Sequence, residues 1–209
     1  VLSAAMRRAE AHRKIDRAPA ILSIPKAAPR ERYLTRKEAA ALLRHMRKDK
    51  RLTHLRLFTR LALYTGARTG AILDLTWDRV DLERGMVWYP LPGKRETTKR
   101  RAVVPLEANL IRALTAARRK ATGAHVIMWG GQPLTRIAKA FTRHAKGVGL
   151  VGVTAHTLRH TFATWAAQKG VPLFQIGGVL GQSLSATTER YAKHNPEAFR
   201  AVTKAVRRK

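Results

Sequence analysis

The sequence contains no cysteine. Disulfides, thiolate metal sites and cysteine nucleophiles are thereby excluded, and a reducing compartment suits the chain. Acidic residues are scarce: Asp and Glu together number 13 among 209 residues, and no cluster of them stands ready to hold a metal ion. No apolar run approaches the roughly 18 residues that a membrane span requires, and nothing resembles a signal peptide. Glycine-rich phosphate loops and internal repeats are also missing.

What is present is positive charge. Lys and Arg number 42, which leaves a formal net charge of +29. A hydrophobic content of 45% is still that of a globular protein, so a sizeable core can form. A chain so basic repels itself unless a polyanion neutralises it, and nucleic acid is the commonest such partner. Charge alone also fits a generically basic or ribosome-associated protein, and it says nothing of catalysis.

The punctuation of the chain predicts an α+β fold, mostly helical. "VLSAAMRRAEAHRK" (1–14) reads as the amphipathic end of a helix, and the three prolines of "APAILSIPKAAPRERY" as an extended linker over 15–33. "TRKE" from Thr35 is a capping box that opens a helix continuing through "AALLRHMRK". "HLRLFTRLALYTG" is a second helix, stopped by Gly66 in a left-handed cap, with a short helix expected in "ARTGAILDL". "MVWYPL" and "RRAVVPL" are β-rich runs around the basic tip "PGKRETTK", predicting one small antiparallel sheet. Helical patterns return in "NLIRALTAARRKA", "LTRIAKAFTRHAK", "HTLRHTFATWAAQKG" and "VPLFQIGGVLG", the last with Pro172 near its start, and again in "SATTERYAKH" and the tail beyond Pro196.

Four pieces carry possible chemistry. His156 and Arg159, three apart on a helix, share a face and can reach one bound group. Arg68 follows a helix stop, where a turn can aim it into a cleft. Lys99 lies on the hairpin tip, and Tyr191 lies near the C-terminus after "GQSLSATT". His160, next to Arg159, turns to a different face and reads as a structural histidine. Singly, each residue has an ordinary explanation: a solvated arginine, a half-buried histidine, a packing tyrosine, a charged run. Together they suit attack on a phosphodiester. Guanidinium groups can hold the non-bridging oxygens, a histidine can shuttle a proton, a tyrosine can be the nucleophile and a lysine can protonate the departing oxygen. Such a set requires no metal and no cofactor.

In this order, the segments resemble the catalytic domain of the tyrosine recombinase (phage integrase) family. "LALYTGARTGAILDLTWDRVDL" resembles the family's first box, whose catalytic arginine falls on Arg68. "TAHTLRHTFATWAAQKGVPLFQIGGVLGQSLSATTERYAKH" resembles the second box, placing its H-x-x-R element on His156 and Arg159 and its nucleophile on Tyr191. The resemblance runs from about Leu34 to Phe199, making 34–209 the catalytic DNA-breaking-rejoining domain. It makes 1–14 the end of an upstream core-binding domain whose remainder is absent.

This chain departs from the family pattern at two positions. Ala71 stands where the family has an acidic residue three places after the first arginine, and Gln182 stands in "LGQS" where it has His or Trp. An amide can still donate a hydrogen bond to a phosphate oxygen. Lys99 fits the hairpin lysine best, with Lys94 as the other register.

The resemblance implies cleavage of double-stranded DNA through a 3′-phosphotyrosine, strand exchange in a homotetramer on DNA, and exchange of C-terminal helices between copies. It further implies a cytoplasmic, nucleoid-associated protein of a mobile element or prophage, with an accessory directionality factor as a further partner. A type IB topoisomerase-like enzyme, a catalytically degenerate DNA-binding module of the same fold, and a helical repressor or RNA-binding protein are the competing readings.

Overall fold

A computed structural model of the chain describes residues 2–20, 32–91, 93 and 102–181. The chain divides into two units, Val1–Glu31 and Arg32–Lys209. Among its described residues the first contains one helix, α1 (Leu2–Ala11), none of whose residues is buried.

The larger unit begins with α2 (Arg36–Lys48). Thr35 caps it as the sequence predicts: its hydroxyl accepts from the Glu38 N–H at 3.2 Å while the Glu38 carboxylate accepts from the Thr35 N–H at 2.7 Å. Arg32 pairs with the same carboxylate. A short 3₁₀ turn over Lys50–Leu52 leads into α3 (Thr53–Thr65). This helix packs against α2, α5 (Ala108–Arg118) and α7 (Ala155–Gln168), and against the short α4 (Thr69–Leu73) that follows it. Eight of its thirteen residues are buried, on more than one face, which is the pattern of a central core helix. Its buried threonines return their hydroxyl protons to the preceding turn, Thr59 to the Leu55 carbonyl and Thr65 to the Leu61 carbonyl.

The β-rich runs pair as expected. β1 (Val80–Asp81), β2 (Met86–Trp88) and β3 (Val103–Pro105) form an antiparallel sheet in that order, with Val87 opposite both Val80 and Val104. The expectation of a single sheet is corrected by a second one. β4 (Met128–Trp129) and β5 (Gln132–Pro133) form a hairpin between α5 and α6, outside the β-rich runs recognised in the sequence. Its two-residue turn is Gly130–Gly131, both at positive φ, which the tight turns of two-residue hairpins require. Two-residue strands are too short to show the alternation that would betray them.

α6 (Ala138–Gly147) starts later than its sequence pattern, and α8 (Leu173–Leu180) is preceded by Pro172 as its cap. Leu34 is clasped by α7 from both sides of its peptide: its N–H donates to Thr161 Oγ1 and its carbonyl accepts from Trp165 Nε1, each at 2.9 Å. A small second cluster, Ala163, Ala167, Ile176 and Leu180, joins α7 to α8. Among the described residues no helix is long and apolar enough to cross a membrane.

Candidate active site

The local sequence decides where α3 stops. Gly66 takes φ +64, the left-handed conformation in which a β-carbon is strained. Space also demands glycine there: a Cβ would lie 2.5 Å from Phe162 Cδ1 and 2.7 Å from Leu180 Cδ2. α7 and α8 therefore approach the end of α3 only because the side chain is missing. Just before the stop, Thr65 fixes the turn. Its hydroxyl donates to the Leu61 carbonyl at 2.7 Å and lies 3.0 Å from the Tyr89 hydroxyl. Burial pushes the Tyr89 phenol well above its ordinary range, so it stays protonated and donates to Thr65.

Arg68 emerges from this turn as the N-cap of α4, in extended backbone geometry, and its Nη2 donates to the Gly181 carbonyl at 3.3 Å. Arg159 approaches from α7. It is 4% exposed, and its fork spans two helix ends: Nη1 donates to the Gly66 carbonyl and Nη2 to the Leu180 carbonyl, both at 2.8 Å. A guanidinium suits these sites because the C-terminal carbonyls of α3 and α8 have no partners within their helices and carry partial negative charge. Two arginines from distant segments thus converge on consecutive carbonyls, Leu180 and Gly181, at the C-terminal end of α8.

Ala71 is buried and lines a small cavity with Arg68, Tyr89, Arg159 and Leu180. A backbone carbonyl from the end of α8, that of Gly181, accepts from Arg68 beside it.

His156 and Arg159 do come from one stretch of α7, but their surroundings differ. His156 is exposed while Arg159 is buried. The neighbour of His156 is His160, whose ring stands edge-on to it at 4.5 Å between centroids. His160 does turn away from Arg159, but four residues after His156 it shares that residue's side of α7 and sets its ring edge-on to the His156 ring. The spacing of four was the signal that could have found it. Sequence reasoning also passed over Arg79, which is buried and bonds to Thr76 Oγ1 and to the Asp74 carbonyl.

Lys94, Lys99, Gln182, Tyr191 and the helical segments expected after Gln182 lie outside the described residues. Among the described residues, no group of three or more His, Cys, Asp or Glu side chains could hold a metal ion.

Known proteins share this arrangement of elements. Residues 32–198 match the model of the phage integrase family. An integrase of Streptomyces ambofaciens is 29% identical over 222 residues, covering 90% of this chain and 56% of that protein. Tyrosine recombinase XerA of Thermococcus kodakarensis is 31% identical over 185 residues, covering 85% and 61% respectively. This chain thus spans between half and two thirds of the length of these curated relatives. The Tn1549 transposon integrase, solved in complex with transposon right end DNA, superposes with a TM-score of 0.77 at 18% identity, covering 98% of this chain and 76% of that one. At that identity the likeness is one of fold.

Proposed function

The chain belongs to the phage integrase family, and from that premise we propose that it is a site-specific recombinase that cuts and rejoins double-stranded DNA. The Tyr191 phenol attacks a scissile phosphorus; the new O–P bond replaces the bond to the 5′-oxygen and leaves a 3′-phosphotyrosine. Arg68 and Arg159 hold the non-bridging oxygens and stabilise the charge that builds in the transition state. Gln182 donates to the same phosphate. His156 moves the proton of the reacting oxygens, and Lys99, or Lys94 in the other register, protonates the departing 5′-oxygen. The 5′-hydroxyl of a partner duplex then reverses the step. The phosphoester energy is retained in the covalent link, so no high-energy cofactor is required. Strand exchange takes place in a homotetramer on DNA, with exchange of C-terminal segments between copies.

One observation carries this reading: Arg68 and Arg159 are oriented together at the end of α8, on the carbonyls of Leu180 and Gly181, ten residues before Tyr191 in the chain. The chemistry needs two fixed guanidinium groups near the entry of the nucleophile's segment, and that is what the two helix ends support.

Covalent trapping tests it. Nicked duplexes of varied sequence lose a short strand after cleavage, so a denatured sample should contain a protein–DNA adduct that maps to Tyr191 and disappears in Tyr191→Phe. Ala71 favours one competing reading, a DNA-binding module without turnover. Tight, salt-sensitive binding with no adduct, even with an upstream core-binding domain of the family fused in place, would establish that module instead.

A further inference from the structure

A basic cleft in the described structure is remote from the arginine pair along α3. It opens beside the N-terminal part of that helix, whereas Gly66 and Arg68 follow its other end. Its walls are α3, α5 and the β4–β5 hairpin, and its volume is about 630 Å³, within the usual range for small-molecule sites.

Three features define its chemistry. The first is charge: Lys50, Arg56, Arg60, Arg112 and Lys120 all line it, and no carboxylate among the described residues does. Arg51 also lines it, but it is paired with Asp49. Arg60 is pressed below its ordinary range by burial, and Arg56 and Arg112 add repulsion. These cations are therefore gathered on one concave surface, where Arg60 Nη2 donates to the Asn109 carbonyl at 3.0 Å. The second feature is an aromatic platform. Trp129, carried on the tight glycine turn, is 52% exposed, and His54 packs behind it at 4.6 Å between ring centroids. Burial holds the His54 imidazole below its ordinary range, so this ring adds no charge to the wall at neutral pH. Ala113, Ala116 and Ala117 keep the opposite wall low. The third is a pair of polar atoms sealed within its wall. The two buried side-chain polar atoms without a partner among the described residues are Trp77 Nε1 and Asn109 Oδ1, and both residues line this cleft.

We propose that this cleft binds a nucleoside phosphate, its base stacked on Trp129 and its phosphates held by Arg56, Arg112 and Lys120. A planar, multiply anionic ligand uses the charge and the aromatic platform at once. An acidic peptide would use the charge and leave the exposed ring without a flat partner. The same chemistry is presented by a free nucleotide and by an unpaired nucleotide in a DNA strand. The proposal does not depend on the recombinase reading.

Calorimetric titration of the whole chain at moderate salt tests it, with ATP, adenosine, pyrophosphate and a short oligo-dA as probes. ATP should bind at one site, with adenosine and pyrophosphate each at least ten-fold weaker. Trp129→Ala and Arg112→Glu, both at exposed positions, should each weaken ATP at least ten-fold. Lys139→Glu, an exposed lysine outside the cleft with the same charge change, should leave it within about two-fold. Tighter binding of oligo-dA than of ATP would identify the source as a DNA strand, and the reverse a free nucleotide; both support the site. Pyrophosphate binding as tightly as ATP, equal effects of Arg112→Glu and Lys139→Glu, or no binding would overturn it. An oligoglutamate peptide that binds through Arg112 where ATP does not would identify a protein-docking surface, which also overturns it. Loss of strand cleavage in Tyr191→Phe has no bearing on these outcomes, so the two proposals fail separately.

Discussion

Arg159 and Gly66 lie 93 residues apart in the chain and are joined by one hydrogen bond, from the guanidinium Nη1 to the glycine carbonyl at 2.8 Å. The bond ties the segment that ends α3 to the helix that carries His156. It also fixes the plane of the guanidinium, because the second nitrogen of the fork is held equally short by Leu180. Orientation of the arginine and packing of three helices are thus one structural fact.

Replacing Arg159 by lysine keeps the charge and removes the fork. A single ammonium cannot span both carbonyls in the same geometry, so Arg159→Lys should lose about 2 kcal/mol of stability, typical for hydrogen bonds made by a charged group in the interior. Strand cleavage should fall by about 10²-fold or more. Urea unfolding and single-turnover cleavage of a nicked duplex measure the two effects; unchanged stability would refute the structural part.

Gly66→Ala should be among the costliest single-methyl additions in this chain. The left-handed backbone costs about 1–2 kcal/mol and overpacking about 1–3 kcal/mol more. Because the clash is with Phe162 and Leu180, the penalty should shrink by at least about 0.5 kcal/mol in a Phe162→Leu background. A double-mutant cycle by denaturant unfolding reads this coupling directly, and strict additivity would count against it.

Acid should weaken the start of α2. The Glu38 carboxyl is held at about 2, below its ordinary 4.5, first by the Arg32 guanidinium and then by the capping bonds to Thr35. Its folded pKa is depressed, so the stabilisation is complete above about pH 4.5 and is lost as pH falls towards 2. The pair is partly open to solvent, which keeps its worth to about 1 kcal/mol. Glu38→Gln should cost that amount at pH 7, and the gap between the two proteins should close near pH 2 when urea midpoints are compared across this range.

DNA affinity should depend steeply on salt. With a net charge of +29, the chain can neutralise several phosphates, each releasing about 0.9 of a counterion. A plot of log affinity against log salt should therefore be steeper than about −4. A slope near zero, measured by fluorescence anisotropy with a labelled duplex, would contradict a phosphate-based interface.

Short-range signals were legible in the sequence. The Thr35–Glu38 box closed as read, Gly66 adopted its left-handed cap, and Val87 found Val104 across the predicted hairpin. The spacing of His156 and Arg159 likewise placed both on α7, but it could not say that one would face solvent and the other the interior. That outcome depends on where α3 and α8 end in space, information held by residues far away in the chain. The basic cleft was illegible for the same reason. Arg56, Arg112 and Trp129 are scattered over three elements, and in a chain this basic no single one of them stands out from its neighbours.

Arg68 and Arg159 take hold of main-chain carbonyls, at Gly66, Leu180 and Gly181. Every amino acid supplies such an oxygen, so a substitution at any of these three positions leaves the acceptor itself in place. Divergence can rewrite the neighbouring residues while the arginines keep their aim, as Ala71 illustrates. The vulnerability moves to the path of the backbone itself: inheritance here must preserve a bend more strictly than a chemical group.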